Sequence, residues 1–167
     1  MSDDVSLKKD SLKKLLQSFS NLSDKKQAYE DLHLLALDKN SSVRLCTASV
    51  LGSVFPYIPD KKQAWNDMLM LLQDDDSAVI QKVSEVLAIA FMHIPDKDAA
   101  WKEMMSAAKD EDFIPRWRAV LALKTVFLLA PDKDKAADDM KKLSAKGDSF
   151  VNFWTCEALG KNKKPKI

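Results

Sequence analysis

The chain has 167 residues, 46% of them hydrophobic and 31% charged, and its 26 basic and 25 acidic side chains leave a net charge of +1. That length suits one domain with a buried core, and the charge balance argues against a nucleic-acid-binding module, which would carry a clear basic excess. Only three glycines in a chain rich in Ala, Leu, Lys and Asp favour helix over strand.

The start, Met1-Ser-Asp-Asp-Val5, is acidic and polar and does not read as a signal peptide. No stretch approaches the ~18 apolar residues of a membrane span, so a cytoplasmic protein without membrane contact is expected. Residues 5–21 carry Leu7, Leu12, Leu15, Phe19 and Leu22 at helical spacing, as a lone capping helix would.

A repeat follows. Pro-Asp-Lys stands at 59–61, 95–97 and 131–133, each 36 residues after the last, and Ser23-Asp24-Lys25 stands one period earlier. Ala28, Ala64, Ala100 and Ala136 keep the same register, as do Tyr29, Trp65, Trp101 and Ala137, then Leu32, Met68, Met104 and Met140. Leu15, Leu51, Leu87, Leu123 and Leu159 form another column, and Phe19, Phe55, Phe91 and Phe127 a further one. Small, aromatic and aliphatic positions sharing one period mark a repeat architecture.

Each unit reads as two helices. The first is capped by the Asp of Pro-Asp-Lys, with Gln27 and Gln63 placed to complete capping boxes. The second is capped by Asn40, Asp76, Asp112 and Asp148 and buries a stripe such as Val43, Thr47, Leu51, Val54, Phe55 and Ile58. The expected fold is all-α: an α-solenoid of four 36-residue helical hairpins (23–58, 59–94, 95–130 and 131–161) behind one N-terminal capping helix. These form a single domain over 1–161, followed by a basic tail at 162–167. A lone hairpin cannot bury both its faces, so the copies must stack.

Asp38 precedes Arg44 by six residues and Asp110 precedes Arg116 by six, across the loop between paired helices. Asp74 keeps the acid but faces Ile80, and the last copy has Lys146 and Asn152. This pattern, with Asp74-Asp-Asp-Ser-Ala-Val79, resembles HEAT repeats over residues 5–161. The resemblance implies a ladder of Asp38, Arg44, Asp110 and Arg116 linking neighbouring repeats. It also implies a binding scaffold whose second helices line a concave surface.

Chemistry-bearing patterns are sparse. His33 and His93 are followed by Leu34 and Ile94, not by the glutamate that HEAT-like iron hydroxylases carry, and no phosphate loop or nucleophile elbow occurs. Cys46 and Cys156 lie 110 residues apart inside helical patterns, as buried thiols. No metal, cofactor or catalytic residue is expected. Asp31, Asp67, Glu103 and Asp139, with the Lys25, Lys61, Lys97 and Lys133 column, read as a solvated face bearing inter-repeat charge pairs.

Trp65 and Trp101 share the core column of Tyr29, but Trp117 and Trp154 belong to no tryptophan column. At 100° per residue Trp117 points nearly opposite the core stripe, so it is expected to be largely exposed. Leu121 and Leu128 share its face, Met92 lies on it one copy earlier, and Phe153 is in its column one copy later. Apolar residues turned outward suggest a partner-binding groove for another protein, or a homodimer surface. The expected function is a non-enzymatic protein-interaction scaffold. Two readings by resemblance compete: a HEAT-like DNA glycosylase or nucleic-acid binder using Trp117 with Arg116 and Arg118, and a HEAT-like bilin lyase subunit. Glu85 and Glu157 on the same side disfavour the first.

Overall fold

Proline cannot continue a helix, holds the residue before it extended, and here brings a capping aspartate behind it. In the computed structural model, which describes residues 2–160, this punctuation operates at every repeat. Ile58, Ile94 and Ala130 precede prolines with ψ of 131, 136 and 136°, and Leu22 adopts 139° before Ser23. The carboxylates of Asp24, Asp60, Asp96 and Asp132 then accept the N–H of Gln27, Gln63, Ala99 and Lys135.

Nine α-helices and no strand form among the described residues. They are α1 (Ser2–Ser18), α2 (Lys25–Ala36), α3 (Ser41–Val54), α4 (Lys61–Leu71) and α5 (Ser77–His93), then α6 (Lys97–Ala107), α7 (Phe113–Val126), α8 (Lys133–Lys146) and α9 (Ser149–Ala158). Three of them tighten into a 3-10 turn that begins at a column phenylalanine: Phe19–Asn21, Phe55–Tyr57 and Phe127–Leu129. The basic tail expected at 162–167 lies outside the described residues.

Some local expectations change. Gln27 and Gln63 do not close capping boxes; their amides instead donate one turn onward, to Asp31 and Asp67. Asp112 takes the cap position of α7 without a side-chain cap bond, whereas Asn40, Asp76 and Asp148 each accept one. Where one domain is expected from length, the packing divides into two compact units, Met1–Pro95 and Asp96–Ile167, the cut falling within the second Pro-Asp-Lys.

In the first unit α1 packs on α3 and α3 on α5, while α2 pairs with α3, α4 pairs with α5, and α2 packs on α4. Phe19, Phe55 and Phe91 are fully buried, each contributing about 2–3 kcal/mol of burial, and the Trp65 ring lies 5.9 Å from Phe91. The closest approach in this layer is at Gly52, where an added Cβ would fall under 3.0 Å from three carbons of Val86. Helix α1 is covered less than its counterparts α3 and α5. Leu7 is 67% exposed where Val43 and Val79 of the same column are 0%, and Ser11 stands where Thr47 and Val83 are buried.

In the second unit α6 packs on α7, α7 on α9 and α8 on α9. The core holds Trp101, Met104, Leu123, Val126, Met140 and Val151, with Trp101 and Phe127 6.5 Å apart. Gly160 ends α9 with φ of 68°, a conformation that favours glycine. Helix α7 carries apolar residues on both its inner and outer faces: Ala119, Val120, Leu123 and Val126 are buried, while Phe113 and Ile114 are more than half exposed. A helix of that kind has two faces to cover, and the outer one is the most unusual surface in this unit.

Candidate interaction surface

Two aromatic pairs at i, i+4 spacing build this surface, Phe113 and Trp117 on α7, Phe150 and Trp154 on α9. Because α7 packs on α9, the pairs mesh. Phe150 is the hub, 5.8 Å from Phe113 and 5.8 Å from Trp117, both edge to face, and 5.9 Å from Trp154. Phe153 stands edge-on to Trp154 at 5.1 Å. Such arrangements place ring edges against ring faces, the electrostatically favoured geometry. Two cations complete it: Arg116 lies 5.7 Å over Phe113, and the Lys124 ammonium lies 4.1 Å over Trp154.

Of the residues expected to line a groove, Trp117 and Phe153 join this cluster. Trp117 is half-buried, not largely exposed as its column implied, because Phe150 covers one side of its ring. Leu121 is half-buried one turn along the same face of α7, and Leu128 is 73% exposed in the 3-10 turn beyond it. Met92, exposed near the end of α5, belongs to the first unit. Phe113, Phe150 and Lys124 were not foreseen. For the two phenylalanines the signal is the doubled i, i+4 aromatic spacing, which a search by repeat column passes over; Lys124 carries no such signal.

The charged ladder is wired differently from the six-residue offset. Arg44 donates Nη1–H to the backbone carbonyl of Asp38 at 2.9 Å, while its Nε and Nη2 grip the carboxylate of Asp74 at 2.6 and 2.8 Å. Asp74 therefore finds its partner one copy back. Burial alone would raise the Asp74 pKa; hydrogen bonds from Arg44 and from the Asp76 N–H outweigh it and hold the group below the ordinary range. Asp38 is held low by Lys8, 2.8 Å away, and by the Asn40 N–H. Lys8 of α1 thus takes, in the column of Arg44, a carboxylate 30 residues onward, as Arg44 does. In the second unit Arg116 donates to the carbonyls of Asp110 and Glu111 and pairs with Asp148 at 2.9 Å. The Asp110 carboxylate itself accepts the Asp112 N–H.

The column expected to be a solvated face is partly interior. Asp67 is 2% exposed and accepts from the Tyr29 hydroxyl at 2.6 Å, the Gln63 amide at 3.2 Å and His33 Nδ1 at 2.9 Å. A carboxylate only accepts, so His33 carries its proton on Nδ1. Asp139 accepts the Trp101 indole N–H at 3.1 Å. The lysine column is not paired with these acids either. Lys25 donates to the carbonyl of Leu22, and Lys61 to those of Phe55, Pro56 and Ile58, capping the helix ends before them. Burial lowers the Lys61 pKa.

Cys46 and Cys156 are free thiols, half-buried. Among the described residues no three His, Cys, Asp or Glu side chains gather as a metal site, and no helix is long and apolar enough to cross a membrane. Two buried nitrogens, Trp65 Nε1 and Arg118 Nε, have no partner among the described residues. No family model matches the chain, and no curated protein matches it. Among solved structures an engineered protein is similar at 20% identity over 92% of this chain and 72% of that chain, with a TM-score of 0.48, a likeness that bears on neither fold nor function.

Proposed function

We propose that the chain is a non-enzymatic interaction scaffold, a HEAT-like α-solenoid of four stacked hairpins that receives a segment of another protein on its second helices. The observation that carries this reading is the outward aromatic cluster on α7 and α9. Phe113 and Phe153 are each more than half exposed, and large aromatics on a surface are the residue types that most often anchor interfaces. The first unit supports the architecture, with α1, α3 and α5 packed in succession and α2 and α4 behind them.

A photo-cross-linking residue at Phe153, with a second at the exposed Lys142 of α8 as control, tests it in extract of the source organism. The expected result is a protein adduct at 153 absent at 142. Adducts at neither position, or at both alike, overturn the reading.

A further inference from the structure

We propose that the segment received by the α7/α9 aromatic face is cationic as well as apolar, with lysines or arginines interleaved among aliphatic or aromatic side chains. The proposal rests on the interaction-scaffold reading and specifies its partner. Its starting point is that the cations on this face are already engaged. Arg116 is tied to Asp148 and to two backbone carbonyls, and Lys124 is tied to Glu157 at 2.9 Å. The carboxylates leading into α7 are not engaged. Glu111 and Asp112 are exposed and make no ion pair among the described residues, and Asp112 forgoes even its cap bond. Lys109 and Lys146, the exposed lysines nearby in sequence, line a recess with Asp110, Arg116, Leu143 and Asp148 that holds none of the rings.

The unpaired charge directly before Phe113 is therefore negative, and exposed ring faces favour cations too. The face already displays the mode of recognition in its own side chains. Lys124 rests between the Trp154 ring and Glu157, and Arg116 between the Phe113 ring and Asp148. A partner lysine or arginine arriving beside Phe113 would meet the unpaired Glu111 and Asp112, while an acidic segment would meet like charge.

The test uses the full chain and two synthetic amphipathic helical peptides with one shared apolar face, the first with lysine and the second with glutamate on the polar face. Titration calorimetry at low ionic strength should show the lysine peptide binding about tenfold more tightly or better. The preference should shrink as salt screens it and should largely vanish in Glu111→Gln/Asp112→Asn. Phe153→Ala should weaken both peptides. Equal binding, tighter binding of the glutamate peptide, or lysine-peptide binding untouched by Phe153→Ala overturns the cationic assignment. A Phe153 adduct with an acidic segment would do so while leaving the scaffold reading intact. Binding of neither peptide, with no adduct at Phe153, overturns both. A concentration-dependent dimer lost in Trp117→Ala would make a second copy the occupant, and overturns the proposal as well.

Discussion

The Tyr29 hydroxyl donates a 2.6 Å hydrogen bond to Oδ2 of Asp67, thirty-eight residues further along the chain. Trp101 repeats the relationship with Asp139 at the same separation. In each case the core aromatic of one first helix finishes its polar end on the acid of the next. Burying Asp67 as an anion is tolerable because three donors surround it.

Tyr29→Phe removes one of those donors and keeps the ring. It should cost about 1–3 kcal/mol, the range for leaving a buried acceptor short of a partner, read from urea unfolding. The pH dependence supplies a second check. Burial, then the bond to Asp67, raises the Tyr29 pKa far above its ordinary value of 10.0. The unfolded chain ionises first, so this contribution is complete below about pH 10 and fades as pH rises beyond it. The alkaline loss should be smaller in Tyr29→Phe.

Arg44→Met strands Asp74, whose side chain is only 5% exposed, and should cost about 3 kcal/mol. Arg116→Met frees Asp148, which is 36% exposed, and should cost about 1 kcal/mol or less. Asp38 and Asp74 titrate below the ordinary 3.8. Their contribution is present above that value and is lost as pH falls below it. The stability gap between Arg44→Met and the parent chain should accordingly narrow as pH falls below that value, because the variant no longer holds Asp74 low.

Gly52→Ala should destabilise, against the usual preference for alanine in a helix. The added methyl lands on Val86, and overpacking of that kind costs about 1–3 kcal/mol. Val86→Ala opens the same space, so the double variant should recover much of the loss. Thermal melts of the four chains form the cycle, and simple additivity would show that α3 and α5 do not meet at this point.

Trp101→Ala should cost about 3–5 kcal/mol as a core truncation. Trp117→Ala loses mainly its edge-to-face contact with Phe150 and should cost about 1 kcal/mol, while weakening partner binding by about 2 kcal/mol or more. Equal destabilisation by the two would place Trp117 in the core and remove it from the surface.

Sequence reasoning reached furthest where the cause is local. A proline, an aspartate three residues before the N–H it caps, and apolar side chains at 3.6-residue spacing act within one or two turns. The helix starts at Lys25, Lys61, Lys97 and Lys133 and the buried Leu51, Leu87 and Leu123 were therefore legible before any packing was known. The solvated-face reading of Asp67 failed because column membership says which residues are equivalent and not how closely the next helix covers them.

What only the tertiary structure decided is how the polar and aromatic side chains are paired. Arg44 reaches forward to Asp74, Lys8 to Asp38 and Tyr29 to Asp67, over separations of 30 to 38 residues. Phe150 joins two helices into one aromatic face in the same manner. The 36-residue period determined by the sequence brings each column near its neighbour. Whether a side chain meets the carboxylate, the carbonyl or the ring beside it depends on the rotation and separation of packed helices, on a scale of about one ångström that no local pattern encodes.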